Sequence, residues 1–63
     1  MRRVGAEVKA KNRIVESTEN GEVIHAESGD AGVVVGLWDE WRMVVFVRSA
    51  GAVQCHLDEI SDP

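Results

Sequence analysis

The sequence has little of several residue types that define common classes of protein. Its 63 residues include one cysteine, one proline and no tyrosine. The single cysteine, Cys55, cannot form an internal disulfide, so we expect a reducing, cytoplasmic setting. No apolar run approaches the ~18–20 residues of a membrane span, and we expect no secretory signal, because Met1-Arg2-Arg3 is not followed by an apolar segment. The length fits one domain over residues 1–63 and excludes a multidomain enzyme.

Positive charge is also scarce, and it is unevenly placed. Seven Lys and Arg against eleven Asp and Glu give a net charge of −4 and a pI near 4.9. Residues 14–63 hold only Arg42 and Arg48 against ten acids. The other basic side chains are Arg2, Arg3, Lys9, Lys11 and Arg13. They belong either to a solvated strand or to an arm that contacts phosphate or an acidic partner, and the acidic remainder disfavours general nucleic-acid binding.

Short apolar segments separated by turn signals predict strands throughout the chain. Residues 4–15 alternate between apolar and polar side chains, which predicts one half-buried strand. Asn20-Gly21 is a strong turn signal, and Arg48-Ser49-Ala50-Gly51 also predicts a turn. A single helical turn is predicted at 57–60, before a last short strand. The remaining strands are predicted at 22–26, 32–37, 43–47 and 52–56.

This spacing predicts an all-β fold, a small five-stranded SH3-like barrel that is partly open. Such a barrel protects its edge strands by curling on itself. The inward positions of the alternating strands predict a core of Val8, Val34, Val44, Phe46, Val53 and Ile60.

The predicted strand at 43–47, which has the clearest strand pattern in the sequence, has apolar residues on both faces. If Val44 and Phe46 point inward, Met43, Val45 and Val47 point outward together with Trp41, and monomers rarely leave such a stripe exposed. Either the long 14–30 segment covers it, or a second copy or another protein does. A chain this short has little material for covering both faces, which favours association.

Two tryptophans near one turn give the best candidate for a binding site. Trp38 and Trp41 flank Asp39-Glu40, where a small barrel offers little core, and interface hot spots are enriched in Trp and Arg. One of the two could instead plug the mouth of the barrel. The predicted partner-binding residues are Trp38, Trp41, Arg42, Met43, Val45 and Val47.

Residues that support catalysis or metal binding are few. Neighbouring strand residues point to opposite faces, so Cys55 and His56 cannot both ligate one ion, and zinc-ligand spacings are missing. Cys55 acting as a nucleophile with His25 as its base has no orienting motif. Asp30 fits an Asx-type turn rather than a phosphate loop. We therefore expect no catalytic residues, no metal and no cofactor.

One set of short motifs resembles the SH3-like accessory modules of redox and metallocofactor systems. The set is Val8-x-Ala10, Ile24-His25-Ala26-x-x-Gly29-Asp30-x-Gly32-x-Val34, Val44-x-Phe46 and Asp58-Glu59-Ile60. Similar modules are the NifZ-like nitrogen-fixation proteins, the variable chain of ferredoxin–thioredoxin reductase and the ferredoxin-docking small subunit of photosynthetic NDH complexes. The resemblance implies a non-catalytic subunit that docks on, or helps assemble, a larger redox or metallocofactor protein.

A second resemblance is to the plasmid-type (type II) dihydrofolate reductases. It rests on Gly32-Val33-Val34-Val35-Gly36-Leu37-Trp38 and on Gly51-Ala52-Val53-Gln54-Cys55-His56. It implies an oligomer whose pore is lined by Val53 and Gln54, with Cys55 and His56 where that family has Ile and Tyr. A third alternative, an RNA-associated KOW-type barrel, is disfavoured by the acidic pI.

Overall fold

A computed structural model describes residues 3–49 and 51–63. Arg2 of the predicted basic segment and Ala50 of the predicted Ala50-Gly51 turn lie outside the described residues. Within those ranges the chain forms strands and one 3₁₀ turn, Leu57–Glu59, and contains no α-helix. The strands are β1 (Glu7–Ala10), β2 (Ile14–Thr18), β3 (Gly21–Ala26), β4 (Ala31–Trp38), β5 (Trp41–Phe46), β6 (Ala52–His56) and β7 (Ile60–Ser61).

Five of the strands form one antiparallel sheet in the order β6-β5-β4-β1-β7, and β2 and β3 form a separate hairpin. This confirms the predicted all-β class, and it is consistent with a small, partly open barrel. The strand predicted at 52–56 and the single helical turn that follows it are also present.

The strand predicted across residues 4–15 is divided in the structure. Gly5 has a φ of +91° in a turn where the Ala6 N–H donates to the Arg3 carbonyl, so β1 begins only at Glu7. After Ala10 the Lys11 N–H donates to the Glu59 carbonyl at 2.8 Å, and the chain leaves the sheet to form β2. The apolar alternation continues on both sides of this break, which is why the pattern predicted one strand.

The six predicted core residues are all buried, and Ala10, Ile14, Ala26 and Cys55 join them. Gly32 sets how closely β4 approaches this core. A Cβ atom there would lie 2.7 Å from Phe46 Cδ1 and 2.8 Å from Val44 Cγ1. The core therefore has no room for a side chain at residue 32.

A bulge in β4 determines which of its side chains face those of β5. Val34 pairs with Val44, but the next pair is Gly36 with Met43, so Val35 is an additional residue. The pairing then continues to Trp38 with Trp41. Because of the bulge, the two tryptophans lie directly opposite one another at the end of the hairpin.

Candidate functional site

The outward side of the β4–β5 hairpin carries the main candidate site. Val44 and Phe46 are buried on the inner side of the sheet. Strand alternation therefore turns Met43, Val45 and Val47 to the opposite side. Val33 pairs with Val45, and Trp38 pairs with Trp41, which adds two β4 residues to this side. We name the outer face as Val33, Trp38, Trp41, Met43, Val45 and Val47.

The outer face remains open to solvent. Val47 is 77% exposed, Trp38 42%, Val33 41% and Trp41 37%, and Met43 and Val45 are half-buried. The β2–β3 hairpin does not cover these side chains, because its buried apolar residues, Ile14 and Ala26, pack into the core instead. The predicted outward orientation is therefore correct, and the binding role of these residues stays a prediction.

Arg42, predicted beside the tryptophans as part of the binding surface, lies on the inward side. Its side chain is 2% exposed, and its position pairs with Leu37 and Cys55. Its Nη1 atom donates to the carbonyls of Asp39 at 3.0 Å and of Trp41 at 2.7 Å. Alternation along β5 requires this orientation, and the guanidinium satisfies backbone acceptors at the β4–β5 turn rather than facing a partner.

One end of the outer face contains a groove of about 320 Å³. Ala31, Val33, Val45 and Val47 line it, together with Glu7 and Pro63. Val8, Gly32 and Phe46 also border the groove. Its lining is mainly apolar, which suits an apolar or aromatic side chain better than a charged one.

The opposite end of the outer face joins the tryptophans to carboxylates through His56. The imidazole of His56 meets the Trp41 ring edge-on, with centroids 5.1 Å apart and an interplanar angle of 88°. Its Nε2 atom lies 3.8 Å from Glu40 Oε2, and its Nδ1 atom accepts the Asp58 N–H at 3.1 Å. Asp39, Glu40 and Asp58 are all exposed. We name Trp38, Trp41 and these three carboxylates the tryptophan end.

The four residues predicted to line a reductase-like pore fall on two sides of β6. Val53 and Cys55 are buried in the core, whereas Gln54 is exposed and His56 half-buried. Strand alternation separates them, so in this chain only Gln54 and His56 can reach an outside ligand. Burial raises the pKa of the Cys55 thiol to about 12, with the charge of Glu59 as a smaller cause, so the thiol stays protonated at neutral pH.

A hydrogen-bonded chain of Glu16, His25 and Ser49 was not predicted. His25 is 4% exposed, its Nε2 lies 2.8 Å from Glu16 Oε1, and its Nδ1 lies 2.9 Å from Ser49 Oγ. These contacts join both strands of the β2–β3 hairpin to the turn after β5. No local pattern indicates such a contact, because Ser49 is 24 residues from His25. The hydrogen bonds of Glu16, His25 and Ser49 connect the β2–β3 hairpin to the main sheet.

Asp30 holds a turn, but through a different bond from the predicted Asx-type contact. Its Oδ2 accepts the Glu27 N–H, three residues earlier, at 3.0 Å, and also accepts from Arg48 Nε at 2.6 Å. The Arg48 guanidinium, and after it the Glu27 N–H, hold the pKa of the Asp30 carboxyl below its usual value. The contact joins the start of β4 to the end of β5, beside the groove.

Among residues 3–49 and 51–63, no group of three or more His, Cys, Asp or Glu side chains is placed to hold a metal ion. The same residues include no helix with the length and apolar character needed to cross a membrane. Comparison with protein-family models, with curated proteins and with solved structures found no match. The resemblances to redox accessory modules and to reductases therefore stay predictions.

Proposed function

We propose that this chain is a non-catalytic protein-binding module that docks against another protein surface through its outer face. The observation that supports this most directly is the exposure of apolar side chains on β4, on β5 and directly after β5, with Val33, Trp38, Trp41 and Val47 each more than one-third exposed. Two tryptophans in one patch are typical of interface hot spots.

The size of the patch favours a binding role. The exposed fractions of the outer-face side chains correspond to roughly 500 Å² of apolar surface, which equals the largest patch of a typical monomer and is often functional at that size. Covering one such side chain is worth about 1.5–3 kcal/mol. For a domain this short, whose own core is small, that gain is a large fraction of the total stability.

The exposed carboxylates of the tryptophan end favour a partner whose facing surface is not strongly acidic. Of the two basic residues after position 13, Arg42 is buried, and Arg48 is bonded to Asp30. The resemblance to redox accessory modules implies a larger redox or metallocofactor protein as the partner. An acidic partner of that kind would instead meet the basic side chains at Arg3, Lys9 and Lys11, all of which are exposed.

Site-specific photo-crosslinking in the native host tests the docking surface. A photoreactive phenylalanine analogue replaces Val45 on the outer face, and in the control it replaces Val23, which is 41% exposed on the β2–β3 hairpin. We expect position 45 to give one discrete adduct and position 23 to give none. The mass of the adduct identifies its protein component. Absence of an adduct at position 45, or the same adduct from both positions, would refute docking through this face.

A further inference from the structure

The outer face has two unlike ends along the direction of its strands. At one end Trp38 and Trp41 form the last pair of the β4–β5 hairpin. Towards the other end, the groove of about 320 Å³ lies around the Val33–Val45 pair and Val47. A partly exposed aromatic pair and an apolar groove on one surface are the two halves of a self-complementary contact, which a two-fold symmetric dimer requires.

The charges at the two ends also differ. The tryptophan end has three exposed carboxylates, those of Asp39, Glu40 and Asp58. At the groove end the signs are mixed, because Lys9 stands opposite Ala31 and Glu7 opposite Val33 in the β1–β4 register. Arg48 at this end is half exposed, with its guanidinium bonded to Asp30.

Two symmetric arrangements can bring a pair of outer faces together. With the two-fold axis along the strands, the tryptophan ends of both copies meet, and six carboxylates come close together, which is unfavourable. With the axis across the strands, each tryptophan end lies over the groove end of the other copy. The second arrangement separates the carboxylate clusters and brings each of them towards Lys9 of the other copy.

We propose that a second copy of this chain occupies the outer face, packed with its strands antiparallel, so that Trp41 of each copy enters the groove beside Val33 and Val47 of the other. This inference rests on the proposed docking function and names the partner. Each copy contributes roughly 500 Å², so the contact buries on the order of 1,000 Å² in total, the lower limit of a specific interface. The dimer is therefore weak and dependent on concentration.

Sedimentation velocity on the purified chain tests the association. We expect the weight-average mass to rise from monomer towards dimer between about 10 µM and about 1 mM, as for a weak dimer with a Kd inside that range. Val33→Glu removes the dimer across that range, while Val23→Glu leaves it unchanged. The two valines are a matched pair, since each lies on a strand and each is 41% exposed. Trp41→Ala weakens dimerisation at least about tenfold, as expected for a hot-spot tryptophan.

Charge reversal and intermolecular NOEs test the antiparallel arrangement. Lys9→Glu and Glu40→Lys each weaken the dimer, and the double variant restores it, because the two side chains approach one another only across the interface. In a mixture of isotope-labelled and unlabelled chains, we expect NOEs between the Trp41 indole and the methyl groups of Val33 and Val47. Intermolecular NOEs between Trp41 and Trp38 would instead indicate the other arrangement and refute this one.

The possible outcomes separate this inference from the docking function. A chain that stays monomeric at about 1 mM refutes the second copy, since its Kd for self-association would then be weaker than about 1 mM. Crosslinking from position 45 to a different protein would then leave the docking function standing. A dimer that resists Val33→Glu uses another surface and also refutes the inference. If the amide spectrum of Val33→Glu shows an unfolded chain, Val47→Glu, at a site 77% exposed, replaces it.

Discussion

The two faces of the β4–β5 hairpin both carry apolar side chains, yet only the inner face is covered, except near the turn, where Leu37 is 47% exposed. On the inner face Val34, Val44 and Phe46 are at most 1% exposed, whereas on the outer face Val33 is 41% and Val47 77% exposed. Strands β1, β6 and β7 and the base of the β2–β3 hairpin all contribute their buried residues to the inner face. The apolar character of a residue therefore does not by itself decide whether it is buried. A side chain of this hairpin is buried where the other strands of the short chain pack against its face.

Truncating the inner face should have the largest effect. Phe46→Ala removes a fully buried aromatic ring, so we expect it to cost about 3–5 kcal/mol, a large part of the ~3–9 kcal/mol that a chain of this length holds. Val47→Ala, one residue further and on the outer face, should change the free energy of unfolding by less than about 0.5 kcal/mol. Urea unfolding at low micromolar concentration measures both values without a contribution from association.

The two variants test the inner–outer difference at adjacent positions. A loss for Val47→Ala comparable to that for Phe46→Ala would mean that the outer face is packed within the monomer. In that case the surface would no longer be available for docking.

Adding a side chain at Gly32, where β4 packs closely against the core, should have an intermediate effect. Gly32→Ala places a methyl group within 3.0 Å of the side chains of Phe46 and Val44, and we expect a cost of about 1–3 kcal/mol. Gly36→Ala is the matched control in the same strand, because its Cβ would lie 3.6 Å from Met43 Cβ, an ordinary contact. Thermal and urea unfolding of both variants measure the difference, and equal losses would contradict the role given to Gly32.

Much of the fold could be predicted from the sequence, because strand pattern and turn residues are local. The strand at Ala52–His56, the 3₁₀ turn and the core positions Val44 and Phe46 all follow from alternation and spacing. The break after Ala10 could not be predicted, because it depends on a bond from Lys11 to Glu59, far along the chain. The division of the strand is therefore a tertiary effect.

The candidate site could be predicted only in part. Alternation was sufficient to turn Met43, Val45 and Val47 outward. The same alternation places Arg42 inward, but the enrichment of arginine in interface hot spots had favoured a place on the binding surface. The carbonyl partners of Arg42 appear only once the β4–β5 turn is formed. The Glu16–His25–Ser49 chain and the groove could not be predicted, because both join segments that are distant in sequence.

The smallest effect is expected at the groove end of the β4–β5 hairpin, at the ion pair between Asp30 and Arg48. This pair joins the residue before β4 to the segment that follows β5. Asp30→Asn keeps an oxygen that can accept the Glu27 N–H but removes the charge. Because the pKa of Asp30 is lowered in the folded state, its contribution to stability is fully present above the ordinary Asp value of about 3.9.

The contribution is lost as the pH falls through the lower, folded-state pKa. We therefore expect the wild type to exceed Asp30→Asn in free energy of unfolding by a constant amount at neutral pH, with the difference shrinking below about pH 4. Urea unfolding of both chains between pH 7 and acid measures it, with Arg48→Gln as the second arm of a double-mutant cycle. A difference that is independent of pH would assign the effect to the turn geometry of Asp30, through its hydrogen bond with the Glu27 N–H, rather than to its charge.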